Sequence, residues 1–595
     1  MRRSANRSQK SPRRGQGPSL LAASLLGVGA VASAFTPLGC SKNSNGADVG
    51  TASGSKSPAP VDTAPAAETC ADNPLLAGCA PVPGTAPAPA SVPEKEQEAT
   101  FRAPIVTGKY VWSANPDSGR VAVIDAETYE IHAIEAGKGP TYVAAVSADG
   151  NQPRAIVINT GGDDAALIEL GAQGTLSVVS VPLHQGADSW SVSHDGRIAI
   201  AWTDASKAKN PDPTDGFQDV TVVALPDGGA PVPTRLTVGY RPSAIAFNAA
   251  GNRAFAITQD GISVLDLDPG AVQLGPLLPL PSASRTSPDV SITPDGSHAL
   301  ARIEGSSSLY DVDLTSGSMT SFDLGGPISD LDLSDDGSRA VAVVQHPAQT
   351  PQSPPDAGPV ADAGDAGTGS DAGSGALADA GSSAASVSSS EAIFIPIPAG
   401  LSDPSQRRSL TSSDPTFGSV VLSADGQHAV LFTTARPTSE VSLVGPDLTP
   451  QNVDLIAPVR AVFMTADGGH AIALQDPPRG SVKRGAFSVL TLDSLRAPKL
   501  VASDAPTVAV ALSPANAERA LVTVSDPASN SFGAYLVRTP NLQVDFQSLS
   551  SEPLASGTVP DAEKAFVAQV HPEGRISFIA LEDGQSREIT GFELS

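Results

Sequence analysis

Three groups of residues in this 595-residue chain have side chains and spacings that bear on chemistry. The first is Asp212, Asp215 and Asp219, in the run Asp-Pro-Thr-Asp-Gly-Phe-Gln-Asp. Their hard carboxylate oxygens are the ligands calcium takes. The run lacks the alternating Asp-x-Asp-x-Asp-Gly spacing that wraps a loop around that ion, so a solvated turn is the default and calcium the alternative. The second group is His298, His428 and His470, each two residues after a glycine (Gly296, Gly426, Gly468), a place that Arg253 and Arg339 also hold. Equivalent places in a repeat fall on different units, so these rings are expected apart, as edge residues rather than one metal centre. The third group is the cysteines Cys40, Cys70 and Cys79. There is no nucleophile elbow, phosphate loop, His-Glu-x-x-His or Cys-x-x-Cys, and no carboxylates are marked as an acid–base pair; no catalytic residue is assigned.

Cys40 stands behind a basic head (Arg2, Arg3, Arg7, Lys10, Arg13, Arg14) and an apolar stretch, 20–35. That stretch is too short to span a bilayer but suits a signal-peptide core. Thr36-Pro-Leu-Gly-Cys40 resembles the lipobox of bacterial lipoprotein precursors, with Leu38 one place nearer the cysteine than usual. The resemblance implies lipid on Cys40 and, with Ser41 following, an outer-membrane address. Ordinary cleavage after Ala32-Ser33-Ala34 would instead give a secreted protein. The expected organisation is a signal peptide at 1–39, a flexible Ala/Pro/Ser/Gly-rich tether at 40–99 with little to bury, and a folded body at 100–595. Outside the cytoplasm, Cys70 and Cys79 are expected to form a small disulfide loop, two free thiols being the alternative. Zinc is not expected there, since no His or further Cys lies nearby.

The formal charge is -26, and loss of the basic head makes the remainder more acidic still. Such a surface argues against nucleic acid and anionic membrane surfaces as partners. Aromatic residues make up only 4%, against 55 Gly and 53 Pro, which points to a turn-rich body of small and β-branched residues.

The elements that carry these side chains follow from a repeat. Short alternating apolar stretches are broken by Ser/Thr-x-Asp-Gly at 147–150, 193–196, 293–296, 334–337, 423–426 and 465–468, with degenerate copies at 248–251, 513–516 and 558–561. Asp caps such a turn and Gly takes its positive φ. A period of about 45 residues with four short strands predicts a β-propeller. One repeat shows all four strands, at 243–247, 253–258, 261–266 and 272–280. Nine turns, plus strands at 109–137 with 101–106 as their inner strand, predict an all-β ring of about nine four-stranded blades, within a range of seven to ten. The stretch 347–390 carries Asp-Ala-Gly starting at Asp356, Asp362, Asp365, Asp371 and Asp379; it is expected as a disordered acidic insertion, not a calcium roll.

The run 239–266, Gly-Tyr-Arg-Pro-Ser-Ala-Ile-Ala-Phe-Asn to Ile-Ser-Val-Leu-Asp, resembles the YVTN-type propeller repeat of lactonase-like and TolB-like proteins. So does Tyr110-Val-Trp-Ser-Ala-Asn followed by Gly119-Arg-Val-Ala-Val-Ile-Asp. The resemblance covers about 105–595 and implies fold, not activity.

In such a blade the Asp-Gly turns lie on one face and the loops between strands two and three on the other. The long segments (204–216, the Asp356 tract, 436–439, 476–485) fall on the second face, where binding usually sits. Two functions follow. One is a lipid-anchored binding or scaffold module for a protein or glycan at the cell envelope, with no cofactor. The other is a lactonase-like hydrolase with polar residues, with or without a divalent ion, in the central channel. Inner strands such as Val-Ala-Ala-Val, Ala-Ile-Ala-Phe and Val-Val-Leu offer few polar ends, which favours binding.

Overall fold

A computed structural model describes residues 104–592, apart from 147–151, 206, 208–216, 227–228, 269–270, 282–287, 347–388, 415, 493–495 and 515. Cys40, Cys70, Cys79, the signal, the tether and almost all of the acidic insertion therefore lie outside the described residues.

The chain folds into ten four-stranded antiparallel sheets, each built from four consecutive strands. They span 105–135, 140–182, 189–237, 244–279, 289–323, 328–412, 419–454, 459–503, 507–548 and 553–590, and are called blades 1 to 10. The count is the upper end of the expected range. The tenth comes from blade 1, whose first turn is a tight Gly108 hairpin (φ 56°) without the Asp-Gly signature. In blade 4 the strands are Ala244–Phe247, Arg253–Thr258, Gly261–Asp268 and Ala271–Pro279, within two residues of the expected bounds. Blade 6 differs from expectation at one edge: its third strand, Ser389–Pro396, starts two residues inside the stretch assigned to the insertion. Ser390 is fully buried there, and its hydroxyl accepts from Phe417 N at 2.5 Å.

Apolar residues on both faces of each sheet pack against the neighbouring blades, so every seam has its own core. Blades 4 and 5 enclose Phe255, Ile262, Val264, Leu300's neighbour Ala299 and Val312. Blades 10 and 1 enclose Phe566, Phe578, Val111 and Ile124, which closes the ring without a shared strand.

The Asp-Gly turns explain their own sequence. In the turn after the first strand of blade 5, Thr293 Oγ1 donates to Asp295 at 2.7 Å, while Asp295 accepts from Ser297 N and Thr293 Oγ1 from His298 N, each at 3.0 Å. The same set recurs around Ser193, Ser334, Ser423 and Thr465. Burial pushes the carboxyls of Asp295, Asp336 and Asp425 up, but these hydrogen bonds outweigh it and hold them below the ordinary value. The glycine answers two constraints. Gly296 has φ 69°, and a Cβ there would stand 2.9 Å from Asn248 Cβ in the preceding blade. The turns therefore nest against one another around one face of the ring, the turn face. Where the motif degenerates at 558–561, a 3-10 turn (Pro560–Ala562) replaces it and Glu563 takes the left-handed conformation (φ 50°).

Candidate functional site

The opposite face carries the strand two–three loops and the blade-to-blade linkers, and it is the candidate interaction surface. Its described long loops are 433–439 and 476–484, which connect second to third strands of blades 7 and 8; the expected segments of blades 3 and 6 lie largely outside the described residues. Polar residues ending the second strands hold the linkers under these loops. Asn159 Nδ2 donates to Ala136 O at 3.0 Å, and Gln475 Nε2 donates to Leu455 O and Ala457 O at 3.1 and 2.7 Å. Buried Gln475 is itself oriented by Ser488, whose hydroxyl donates to Oε1 at 2.6 Å. Gln475 thus spends both its N–H donors on linker carbonyls.

Aromatic and cationic groups collect on this face along blades 2–4. Lys207 Nζ lies 4.9 Å from the Tyr142 ring centre and donates to Ser189 Oγ at 2.7 Å. Trp190 Nε1 donates to Tyr142 O at 3.1 Å. The Arg241 guanidinium sits 5.6 Å from the Tyr240 ring and 5.9 Å from that of Phe217. Both Phe217 (φ 48°) and Arg241 (φ 51°) are left-handed, a conformation costly for side-chain-bearing residues. Arg241 precedes Pro242 just as Gly139 (φ 67°) precedes Pro140 in blade 2, so the repeat needs only glycine there. Strain of this kind, with rings and a guanidinium at one place, is characteristic of recognition surfaces.

The sequence-derived candidates separate. Asp219 opens the third strand of blade 3, where its carboxylate accepts from Thr237 Oγ1 at 3.1 Å; Asp212 and Asp215 lie outside the described residues. His298, His428 and His470 stand on blades 5, 7 and 8, as expected of a repeat position. His298 Nδ1 lies 2.9 Å from Asp311 on its own blade. The basic residues at this position reach further: Arg253 donates to Leu314 O at 2.9 Å, Arg519 to Leu581 O at 3.1 Å, and Lys564 to Ala126 O, each in the next blade. That seam-bridging role was not legible from one repeat. Among the described residues, no group of three His, Cys, Asp or Glu side chains is placed to hold a metal ion.

The channel wall holds two carboxylates that sequence reasoning missed. The inner strand of blade 6, Ile328–Leu333, reads Ile-Ser-Asp-Leu-Asp-Leu. Leu331 and Leu333 turn into the seam with blade 5, which leaves Asp330 and Asp332 on the other side of the strand. Asp330 accepts from Leu331 N at 2.8 Å and from Val420 N at 2.7 Å. Asp332 accepts from Leu333 N at 2.9 Å and from Leu422 N at 2.7 Å. Asp332 keeps some contact with solvent, yet protein surrounds its carboxyl closely enough that burial, reinforced by repulsion from Asp330 and Asp335 against these hydrogen bonds, pushes it up to about 7. The available signal was the Asp-x-Asp alternation where the inner strands of blades 2, 4 and 9 have Ala or Val.

No family model matches the chain, and no curated protein matches it by sequence. Solved structures match it in part at low identity. A eukaryotic initiation factor is 13% identical, with a TM-score of 0.46 over 72% of this chain and 94% of that one. The dihydro-heme d1 dehydrogenase NirN in complex with DHE is 13% identical, with a TM-score of 0.38 over 68% and 75%. Apo AztD from Citrobacter koseri is 12% identical, with a TM-score of 0.35 over 72% and 92%. These likenesses carry no functional argument; the strand order itself makes the chain a ten-bladed β-propeller.

Proposed function

We propose that this chain is an exported propeller of the YVTN-repeat kind, held by lipid on Cys40 at the bacterial cell envelope, where its loop face binds a protein or glycan. The observation that carries the binding role is the placement of the loops 433–439 and 476–484, Arg241 and four aromatic rings on the linker side of the ring. The turn face, by contrast, consists of short nested turns whose polar groups bond one another. The anchor rests on the basic head, the apolar stretch and the cysteine at 40. The Cys70–Cys79 loop and the 40–99 tether would then set the ring off from the membrane.

Intact mass and membrane fractionation of the native chain and Cys40→Ser test the anchor. The expected result is an acylated amino-terminal cysteine in the membrane fraction and a soluble variant. A soluble native product starting near Phe35 would refute the anchor and leave a secreted propeller.

A further inference from the structure

The seam between blades 6 and 7 carries an extra kind of tie. Three other seams are joined across their inner strands by neutral or cationic donors to carbonyls: Trp190 to Tyr142 O, Arg460 to Thr507 O at 2.8 Å, Thr558 to Leu512 O at 3.4 Å. Here Ser329 Oγ likewise donates to Gly418 O at 2.8 Å, and two carboxylates act in addition as acceptors. The pairing with the second strands assigns the amides of residues 419 and 421 to the sheet of blade 7, leaving those of Val420 and Leu422 at its open inner edge. The same alternation leaves Leu331 N and Leu333 N at the inner edge of blade 6. Each carboxylate joins one amide from each edge, so Asp330 and Asp332 bridge two strands that share no backbone hydrogen bond.

Such a bridge needs the anion. An ionised carboxylate is acceptor-only and takes both amides, one on each oxygen. A protonated carboxyl has one oxygen carrying hydrogen, which faces an N–H donor and releases it. We infer that Asp332 is a proton-operated clasp: ionised, it ties the inner edge of blade 7 to blade 6, and protonated, it lets that edge go.

The surroundings place the changeover near neutrality. Asp330 on the same strand and Asp335 in the following turn repel the charge, and burial adds the largest contribution. Asp336 and Asp425 in the flanking turns are also acidic. Arg339, the nearby cation, is turned to Gly426 O at 2.6 Å, and His428 immediately precedes the second strand of blade 7, Ala429–Phe432. The facing strand, Ser419–Leu422, brings no titratable side chain. Asp332 thus titrates at about 7, against 3.8 for an ordinary aspartate.

This gives two trends of opposite sign. The folded chain binds the Asp332 proton more tightly than the unfolded chain, so this group's contribution to overall stability falls as pH rises from about 4 to about 7. Over the upper part of that range the clasp closes, so local protection at residues 420–422 rises. A residue that merely packs would move both the same way.

The test is hydrogen exchange by mass spectrometry on the full chain from pH 5.5 to 8.5, corrected for intrinsic rates. The readout is the peptide spanning Ser419–Leu422, with the inner strand Val459–Met464 of blade 8 as reference. A charge-assisted bond to an amide corresponds to about a ten- to hundredfold gain in protection on going from pH 6 to pH 8, absent from the reference. Asp332→Asn, which cannot accept from both amides, should hold the low value at every pH. Asp335→Asn, at an exposed turn residue outside the bridge, removes part of the repulsion and should shift the midpoint to lower pH; it keeps the inference open to refutation should the first variant not fold. Protection at 419–422 that is flat with pH, or that follows the reference strand, overturns it, as does an unmoved midpoint in Asp335→Asn.

Discussion

The ring closes where blade 10 meets blade 1, and one tyrosine concentrates the contacts. Tyr129 sits in the turn between the third and fourth strands of blade 1, left-handed at φ 65° and fixed by Tyr129 N donating to Asp125 O at 2.8 Å. Its ring meets the edge of Phe578 at 5.6 Å, Lys564 Nζ at 4.4 Å and the Arg587 guanidinium at 4.2 Å, all from blade 10. Two cation–π contacts at partly exposed sites contribute about 0.5–1 kcal/mol each, and an edge-on aromatic pair about 0.5–1.5 kcal/mol. Tyr129→Ala therefore weakens closure by about 2–3 kcal/mol without touching the other nine seams. A ring this large need not unfold in one step, so a single midpoint is the wrong readout. Hydrogen exchange resolved by blade is the right one: protection should fall about thirtyfold or more in 105–135 and 553–590 while blades 4 and 5 hold. A Tyr129→Leu/Lys564→Met cycle should show coupling of about 0.5–1 kcal/mol. Equal loss of protection in all ten blades, or none in blades 1 and 10, would refute closure by this seam.

Other consequences are sharper at single residues. Gly296→Ala forces a left-handed side-chain-bearing residue against Asn248 and Phe255, and should cost about 1–2 kcal/mol or more, read as lost protection at the blade 4–5 seam. His184 is buried between Thr221 Oγ1 (2.9 Å) and Thr203 Oγ1 (3.3 Å), and burial lowers its ionisation below 6.5. Since the unfolded chain takes up that proton first, stability should fall as pH drops through 6.5, and His184→Leu should flatten that slope in denaturant melts taken from pH 8 to 5. Arg241→Gly relieves left-handed strain of about 1–2 kcal/mol while losing two ring contacts of about 0.5–1 kcal/mol each, so stability should stay within about 1 kcal/mol while envelope binding falls. A stability loss above about 3 kcal/mol would make Arg241 a framework residue.

The propeller was legible because its turns repeat a chemical solution. Ser/Thr, Asp and Gly each satisfy a separate constraint of the same hairpin, and the glycine also makes room for the neighbouring turn. The first blade was harder to count because the Gly108 hairpin solves the same problem with fewer residues. The loop face followed from strand parity, which fixes the side each connection lies on. Seam contacts were out of reach: Arg253 to Leu314 O and Asp330 to Val420 N join residues separated by 61 and 90 positions, and their pairing depends on how adjacent blades are rotated. Asp332 shows the same limit, since its strand looks like any alternating strand until the next blade's open edge is placed beside it. Of the Asp212, Asp215 and Asp219 run, only Asp219 is described, bonded to Thr237 within its own sheet.

The claim that matters most is that the loop face, not the turn face, does the binding. The direct measurement is retention of soluble Cys40→Ser protein on isolated cell envelopes, compared with the same protein carrying Arg241→Gly and Gly/Ser in place of 434–437 and 477–482, and with one carrying Ala at the exposed turn-face residues Glu127 and Asp583. The loop-face replacements should abolish retention at unchanged ring stability, and the turn-face variant should be retained like the parent. Loss of retention in the turn-face variant alone, or equal retention in all three, would contradict that claim.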